Sequence, residues 1–245
     1  MKVASLVPSI TETLIEAGVD VVARSRFCIH PADRVSSIPS VGGTKDLDVQ
    51  GLLKSGAEIL VLDREENTKP MAEKSPIPIH ALHIQSVADL PGSFEGLAHQ
   101  LGAPGLKEIA DRWRSALQVQ YPSLLQPPAL IQWIEQGEFE QVMYLIWRKP
   151  WMAVRADTFI GSMMELCGWP LHDFGFATKY PSLEGLDQIP DNTLLLFSSE
   201  PYPFAKHLED IKALGRPSAL VDGESLSWFG VRSLRFLDGL NPNKL

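Results

Sequence analysis

Cysteine is nearly absent from this chain, and so are most features that would set it apart from an ordinary globular protein. Two cysteines in 245 residues, Cys28 and Cys167, make no disulfide framework. Reduced thiols are expected. No apolar run approaches the eighteen residues of a membrane-spanning helix, so no membrane insertion is expected. Positive charge is also short: 22 Lys and Arg stand against 30 Asp and Glu, a net charge of −8. Without a clustered basic face, nucleic acid is excluded as a partner. The motifs G-x-S-x-G, H-E-x-x-H, C-x-x-C and G-x-x-x-x-G-K-[ST] are all missing, and no catalytic residue and no enzyme activity are expected. Ser9, His30 and Asp46 have the chemistry of a triad, but no spacing brings them together. Met1-Lys2 runs straight into the first apolar segment, so either no secretory leader is expected or one was removed. The expected location is the cytoplasm if Met1 is the native start, and the periplasm if a leader was trimmed.

What is present is strand and helix in alternation. Val3 to Val7 reads as a buried strand that Pro8 stops. Ser9 and Glu12 have capping-box spacing, which predicts a helix from Ile10, with Ile10, Leu14 and Ala17 on one face and a stop at Gly18. Strands follow around Val21–Ala23, Ile38–Val41 and Glu58–Leu62. A further run, Ile77–Leu82, has prolines at 76 and 78 and suits a sheet edge. Asp48 is placed to cap one helix, and Ser86 with Asp89 another that ends at Gly102. Pro104 to Tyr121 carries a long helical pattern and reads as a connector. Beyond it, strands are expected at Ala129–Ile134, Gln141–Ile146, Thr193–Ser198 and Ala219–Asp222, with helices near Thr158–Cys167, Phe204–Leu214 and Ser233–Leu240.

The expected fold class is therefore α/β: two Rossmann-like lobes with mostly parallel sheets, joined by one long linking helix. The boundaries are 1–103 for the N-terminal lobe, 104–121 for the helix and 122–245 for the C-terminal lobe. In open sheets of this kind ligands gather at the carboxyl ends of strands, and the chain's unusual loops fall there.

Gly42-Gly43-Thr44-Lys45 is either a glycine turn or an anion-contacting loop. Cys28 and His30 are one residue apart, so they either share a soft metal or form a buried thiol beside a hydrogen-bonded imidazole. No full metal-ligand set is present, and no metal site is assigned. Trp147-Arg148-Lys149-Pro150-Trp151 suits a large, flat, partly anionic ligand, or else a packing corner. Trp228-Phe229, and Tyr202 with Phe204, repeat the theme. Glu65, Glu66 and Glu200 lie at strand ends, either as a solvated face or as a surface for basic patches on a partner.

The stretches Ser5-Leu6-Val7-Pro8-Ser9-Ile10-Thr11-Glu12-Thr13-Leu14, Arg26-Phe27-Cys28-Ile29-His30-Pro31, Val41-Gly42-Gly43-Thr44-Lys45-Asp46 and Ser198-Ser199-Glu200-Pro201 resemble the cobalamin-type substrate-binding proteins of ABC importers, the class III periplasmic binding proteins with a helical backbone. The resemblance covers nearly the whole chain. It implies a small-molecule metal-chelate ligand (cobalamin, haem or a ferric siderophore) held between the lobes, with no cofactor required. By position it puts Pro8, Ser9, Arg26, Phe27, Cys28, His30, Gly43, Thr44 and Lys45 on the N-terminal side of the ligand. Trp147, Arg148 and Trp151 fall on the other side, with Trp228 as a stacking tryptophan. Asp63 stands where the cobalamin binders have a second one. The resemblance further implies that Glu65 or Glu66 and Glu200 dock onto arginines of an ABC permease. The alternative is a cytoplasmic protein of the same fold that acts on or senses a metallated cofactor.

Overall fold

The computed structural model describes residues 1–122 and 124–242. The last residues of the 122–245 segment, with Ser123, lie outside the described residues. The chain forms two compact units, Met1–Gln118 with Trp228–Arg235, and Val119–Ser227 with Phe236–Leu245.

The first unit is a four-stranded sheet, β1 (Lys2–Ser5), β2 (Asp20–Arg24), β3 (Ile59–Asp63) and β4 (Ile79–Leu82), in the order β2-β1-β3-β4 with every pair parallel. β4 takes the edge, as its flanking prolines predict. All five residues of β3 are buried, the mark of a strand covered on both faces. The helices are α1 (Pro8–Glu16), α2 (Ala32–Val35), α3 (Val49–Ser55), α4 (Lys69–Glu73), α5 (Leu90–Leu101) and α6 (Pro104–Ala116). Ile10 and Leu14 of α1 are fully buried, each contributing roughly 2 kcal/mol of apolar burial. The Asp48 carboxylate accepts from the Gly51 N–H at 3.0 Å and caps α3. Ser86 and Asp89 form the reciprocal capping box ahead of α5.

Three expectations are corrected. α1 begins at Pro8, not Ile10, and Ser9 is not its cap. Proline fits the first helical position because its missing N–H has no partner there to lose, and Glu12 turns instead to arginines of the last helix. The segment 38–41 is no strand; it touches the sheet through one bridge, Arg24 to Ser40. The 104–121 helical pattern is helical only to Ala116, and α6 packs along α5 within the first unit.

The second unit is a six-stranded sheet of β5 (Leu130–Glu135), β6 (Gln141–Trp147), β7 (Trp151–Val154), β8 (Ser182–Leu183), β9 (Thr193–Ser198) and β10 (Ser218–Val221), ordered β5-β10-β9-β6-β7-β8. β6, β9 and β10 run parallel, whereas β5, β7 and β8 pair antiparallel. This sheet is mixed, because β6 and β7 form a hairpin where the sequence reads as a loop. α7 (Phe159–Leu166), capped by Thr158, α8 (Leu208–Lys212), α9 (Gly223–Ser227) and α10 (Val231–Leu240) complete the order. The expected 204–214 helix is instead a short 3-10 turn, Phe204–Lys206, followed by α8. Among the described residues no helix is long and apolar enough to cross a membrane.

Candidate functional site

In the first unit the strand order changes direction between β1 and β3, and the loops leaving the carboxyl ends of β1, β2 and β3 converge around that switch point. Pro8 is half-buried and Ser9 buried at the β1 end. Ser9 serves through its carbonyl, which accepts from the Thr13 hydroxyl at 2.8 Å.

After β2, Arg26 and Phe27 are exposed, and the Arg26 guanidinium lies 5.1 Å from the Phe27 ring centre. Arg26 also donates to both Asp46 carboxylate oxygens, at 3.0 and 2.7 Å. That ion pair holds the Asp46 carboxyl below the usual carboxylate range. Gly43 lets the pair cross the backbone: a Cβ there would meet Asp46 Oδ1 at 2.6 Å and Arg26 Nη2 at 2.7 Å. Cys28 faces inward, 1% exposed, with its sulfur 3.0 Å from the Thr11 hydroxyl and 3.1 Å from that of Ser25. Burial pushes its thiol pKa up. Its place is under the wall, in a buried polar network with Ser5, Thr11 and Ser25. His30 is half-buried and meets the Trp228 ring edge-on at 5.4 Å. Asp46 is thus taken by Arg26, while His30 meets Trp228.

The third loop is built on Asp63. Its buried carboxylate accepts from the N–H groups of Glu65 at 2.8 Å, Glu66 at 3.3 Å and Ile84 at 3.3 Å. Burial raises its pKa above the ordinary range, against the pull of those three donors. The side chain is a turn anchor, not a ligand face. Asn67 accepts from the Asp63 N–H and donates to the Thr44 carbonyl at 2.9 Å, while the Lys45 ammonium donates to the Glu66 carbonyl. The Gly43–Lys45 turn and the acidic turn are therefore one construction, with Glu65 and Glu66 exposed on top. Asp63→Asn cannot present an acceptor to all three N–H groups, because its NH2 confronts at least one of them. We expect a loss of about 1–3 kcal/mol, read as a shift in the urea midpoint at constant slope.

In the second unit the corresponding loops leave β6 and β9. Trp147 is 40% exposed and edges onto Tyr202 at 5.3 Å. Trp151, expected either on a ligand face or in a packing corner, starts β7 and stacks on buried Phe204 at 6.2 Å. Arg148 lies 5.5 Å from the Trp151 ring centre and donates to Asp210 at 2.7 Å. Tyr202, one of the aromatics expected on these loops, and His207, which has no distinct sequence signature, complete this face. The Tyr202 hydroxyl and His207 Nε2 are 3.1 Å apart, and His207 Nδ1 lies 3.6 Å from Asp210. Their five-residue spacing across an irregular turn matches no helical or strand period. Glu200 is exposed, its carboxyl raised by partial burial and by the charges of Glu224 and Asp222. A separate hollow of about 700 Å³, lined by Leu125, Phe139 and Trp169, lies at the amino end of β6, away from these strand ends. Among the described residues no group of three or more His, Cys, Asp or Glu is placed to hold a metal ion.

No family model and no curated protein matches the sequence. Solved structures do match in fold. The periplasmic heme-binding protein RhuT from Roseiflexus sp. RS-1 has a TM-score of 0.72 at 17% identity, over 98% of this chain and 95% of its own. The periplasmic vitamin B12 binding protein BtuF of Vibrio cholerae has a TM-score of 0.69 at 15% identity, over 98% and 94%. An ABC transporter substrate-binding protein from Listeria monocytogenes EGD-e has a TM-score of 0.70 at 14% identity, over 98% and 96%. Over nearly its whole length, the chain has the two-lobe α/β fold of the periplasmic substrate-binding proteins.

Proposed function

We propose that this chain is a substrate-binding protein of an ABC-type importer that holds a flat metal chelate, a corrinoid or haem, without chemistry on it. The observation that carries this reading is the whole-chain likeness in fold to proteins that bind haem or vitamin B12, 98% of this chain in each case. The loop chemistry supports a stacked ligand over a polyanion. Phe27 and Trp147 are exposed beside the ends of β2 and β6, and Trp228, directly after α9, is half-buried. Arg26 and Arg148 already carry carboxylate partners, Asp46 and Asp210. Aromatic faces with a few polar groups to set orientation suit a planar chelate. Glu65, Glu66 and Glu200 serve in this reading as the carboxylates that meet a cationic permease surface. The raised Glu200 carboxyl is one that a neighbouring cation would draw back into the ionised form.

Titration with cobalamin and with haemin, followed by the visible absorbance of the ligand and by tryptophan quenching, tests the reading. Micromolar or tighter binding of one chelate is expected, weakened at least about tenfold by Trp228→Ala. Binding no tighter than millimolar by both chelates overturns it.

A further inference from the structure

We propose that Glu12, a buried residue of α1, is the positioning residue for Trp228; this rests on the reading of Trp228 as a ligand-stacking side chain. Glu12 lies in α1, its side chain 2% exposed. A carboxylate buried that deeply is costly unless every oxygen is satisfied. Here the Arg232 guanidinium supplies a two-bond fork, Nε to one oxygen at 2.9 Å and Nη2 to the other at 2.8 Å. Arg235 adds a longer bond at 3.4 Å and also pairs with Glu16.

A forked pair fixes the plane of the guanidinium as well as its position. That plane matters because the guanidinium carbon lies 5.3 Å from the Trp228 ring centre. His30 meets the same indole edge-on from the β2 loop. The indole is thus located by a cation at its face and an imidazole at its edge, and the cation is located by Glu12. The backbone beneath is tied down separately: the Trp228 carbonyl accepts from the Ser233 hydroxyl at 2.9 Å, and the Val231 N–H donates to Thr13 Oγ1 at 3.2 Å. Loss of the Glu12 charge should therefore release the ring without releasing the chain.

The test uses Glu12→Gln, which keeps size and one acceptor, in the full chain. Trp228 emission is isolated by difference against Trp228→Phe, with and without Glu12→Gln. Greater acrylamide access to Trp228 is expected in the Gln variant. The Kd for whichever chelate binds is expected to weaken roughly tenfold, and by less than about twofold when Trp228 is already alanine. Arg232→Lys keeps the charge but loses the fork and should act in the same direction; it replaces Glu12→Gln if that variant does not fold. An equal loss of affinity with and without Trp228, or an unchanged difference signal, overturns the proposal. If the wild-type chain binds neither chelate, the functional reading fails, and the difference signal still decides the role of Glu12.

Discussion

Gly230→Ala is expected to lower the melting temperature by roughly 10 °C, a larger effect than any surface substitution should give. Gly230 has φ 118°, a conformation L-residues rarely adopt, and a Cβ there would sit 2.1 Å from Thr13 Oγ1. Neither partner has room to yield. The Thr13 hydroxyl donates to the Ser9 carbonyl at 2.8 Å and accepts from the Val231 N–H, while the Gly230 carbonyl accepts from the buried Trp113 indole at 3.2 Å. Backbone strain and overpacking each cost about 1–3 kcal/mol, and about 2–4 °C per kcal/mol is usual for a chain of this size. Gly239→Ala, in α10 just after that corner and with nothing within 4 Å of its Cβ position, should instead be neutral or stabilising by up to about 1 kcal/mol. Calorimetry on the two variants separates the corner from a general response of α10. Equal melting temperatures would show that the corner is not held as tightly as its bonds imply.

That corner also marks where a reading of the sequence stops. Signals that stay within one turn or one strand were legible. The Thr193–Ser198 run is a strand over those same residues, Asp48 caps α3, and the Ser86–Asp89 box forms. Each is decided by neighbours within four residues. The Ser9–Glu12 box has equally good spacing and does not form, because Arg232, 220 positions away, takes the Glu12 carboxylate. A local bond worth about 1 kcal/mol yields to a forked ion pair that also satisfies a buried charge. The hairpin through Trp147–Trp151 was not legible for a different reason. Only Trp151–Val154 follows its turn at Lys149, whose φ is 68°, and four residues are too few to show a period-two pattern. The return of Trp228–Arg235 to the first unit has no local signature at all. The contact of Trp228 with His30 follows from that return, and the resemblance, which grouped Trp228 with Trp147 and Trp151, did not foresee it.

Phe204→Ala is the second large effect, and it tests the ligand face proposed for the second unit. Phe204 is fully buried in the core of the second unit, stacked on Trp151, crossed by Phe197 at 5.0 Å and touched by Tyr202 at 4.7 Å. Truncating it should cost about 3–5 kcal/mol, while Phe204→Leu, which refills most of the volume, should cost less than about 2 kcal/mol. The consequence for function follows from what rests on that ring. Trp147 contacts Tyr202, and Tyr202 leans on Phe204, so a cavity at 204 lets the half-buried Tyr202 and the exposed Trp147 move. His207 still bonds the Tyr202 hydroxyl, but it holds only the far end of the side chain. Affinity for the chelate, corrected for the folded fraction, should therefore fall several-fold in the alanine variant and stay near wild type in the leucine variant. If both variants bind as the wild type does, then Trp147 and Tyr202 lie outside the ligand face, and the second unit must contact its ligand through other residues.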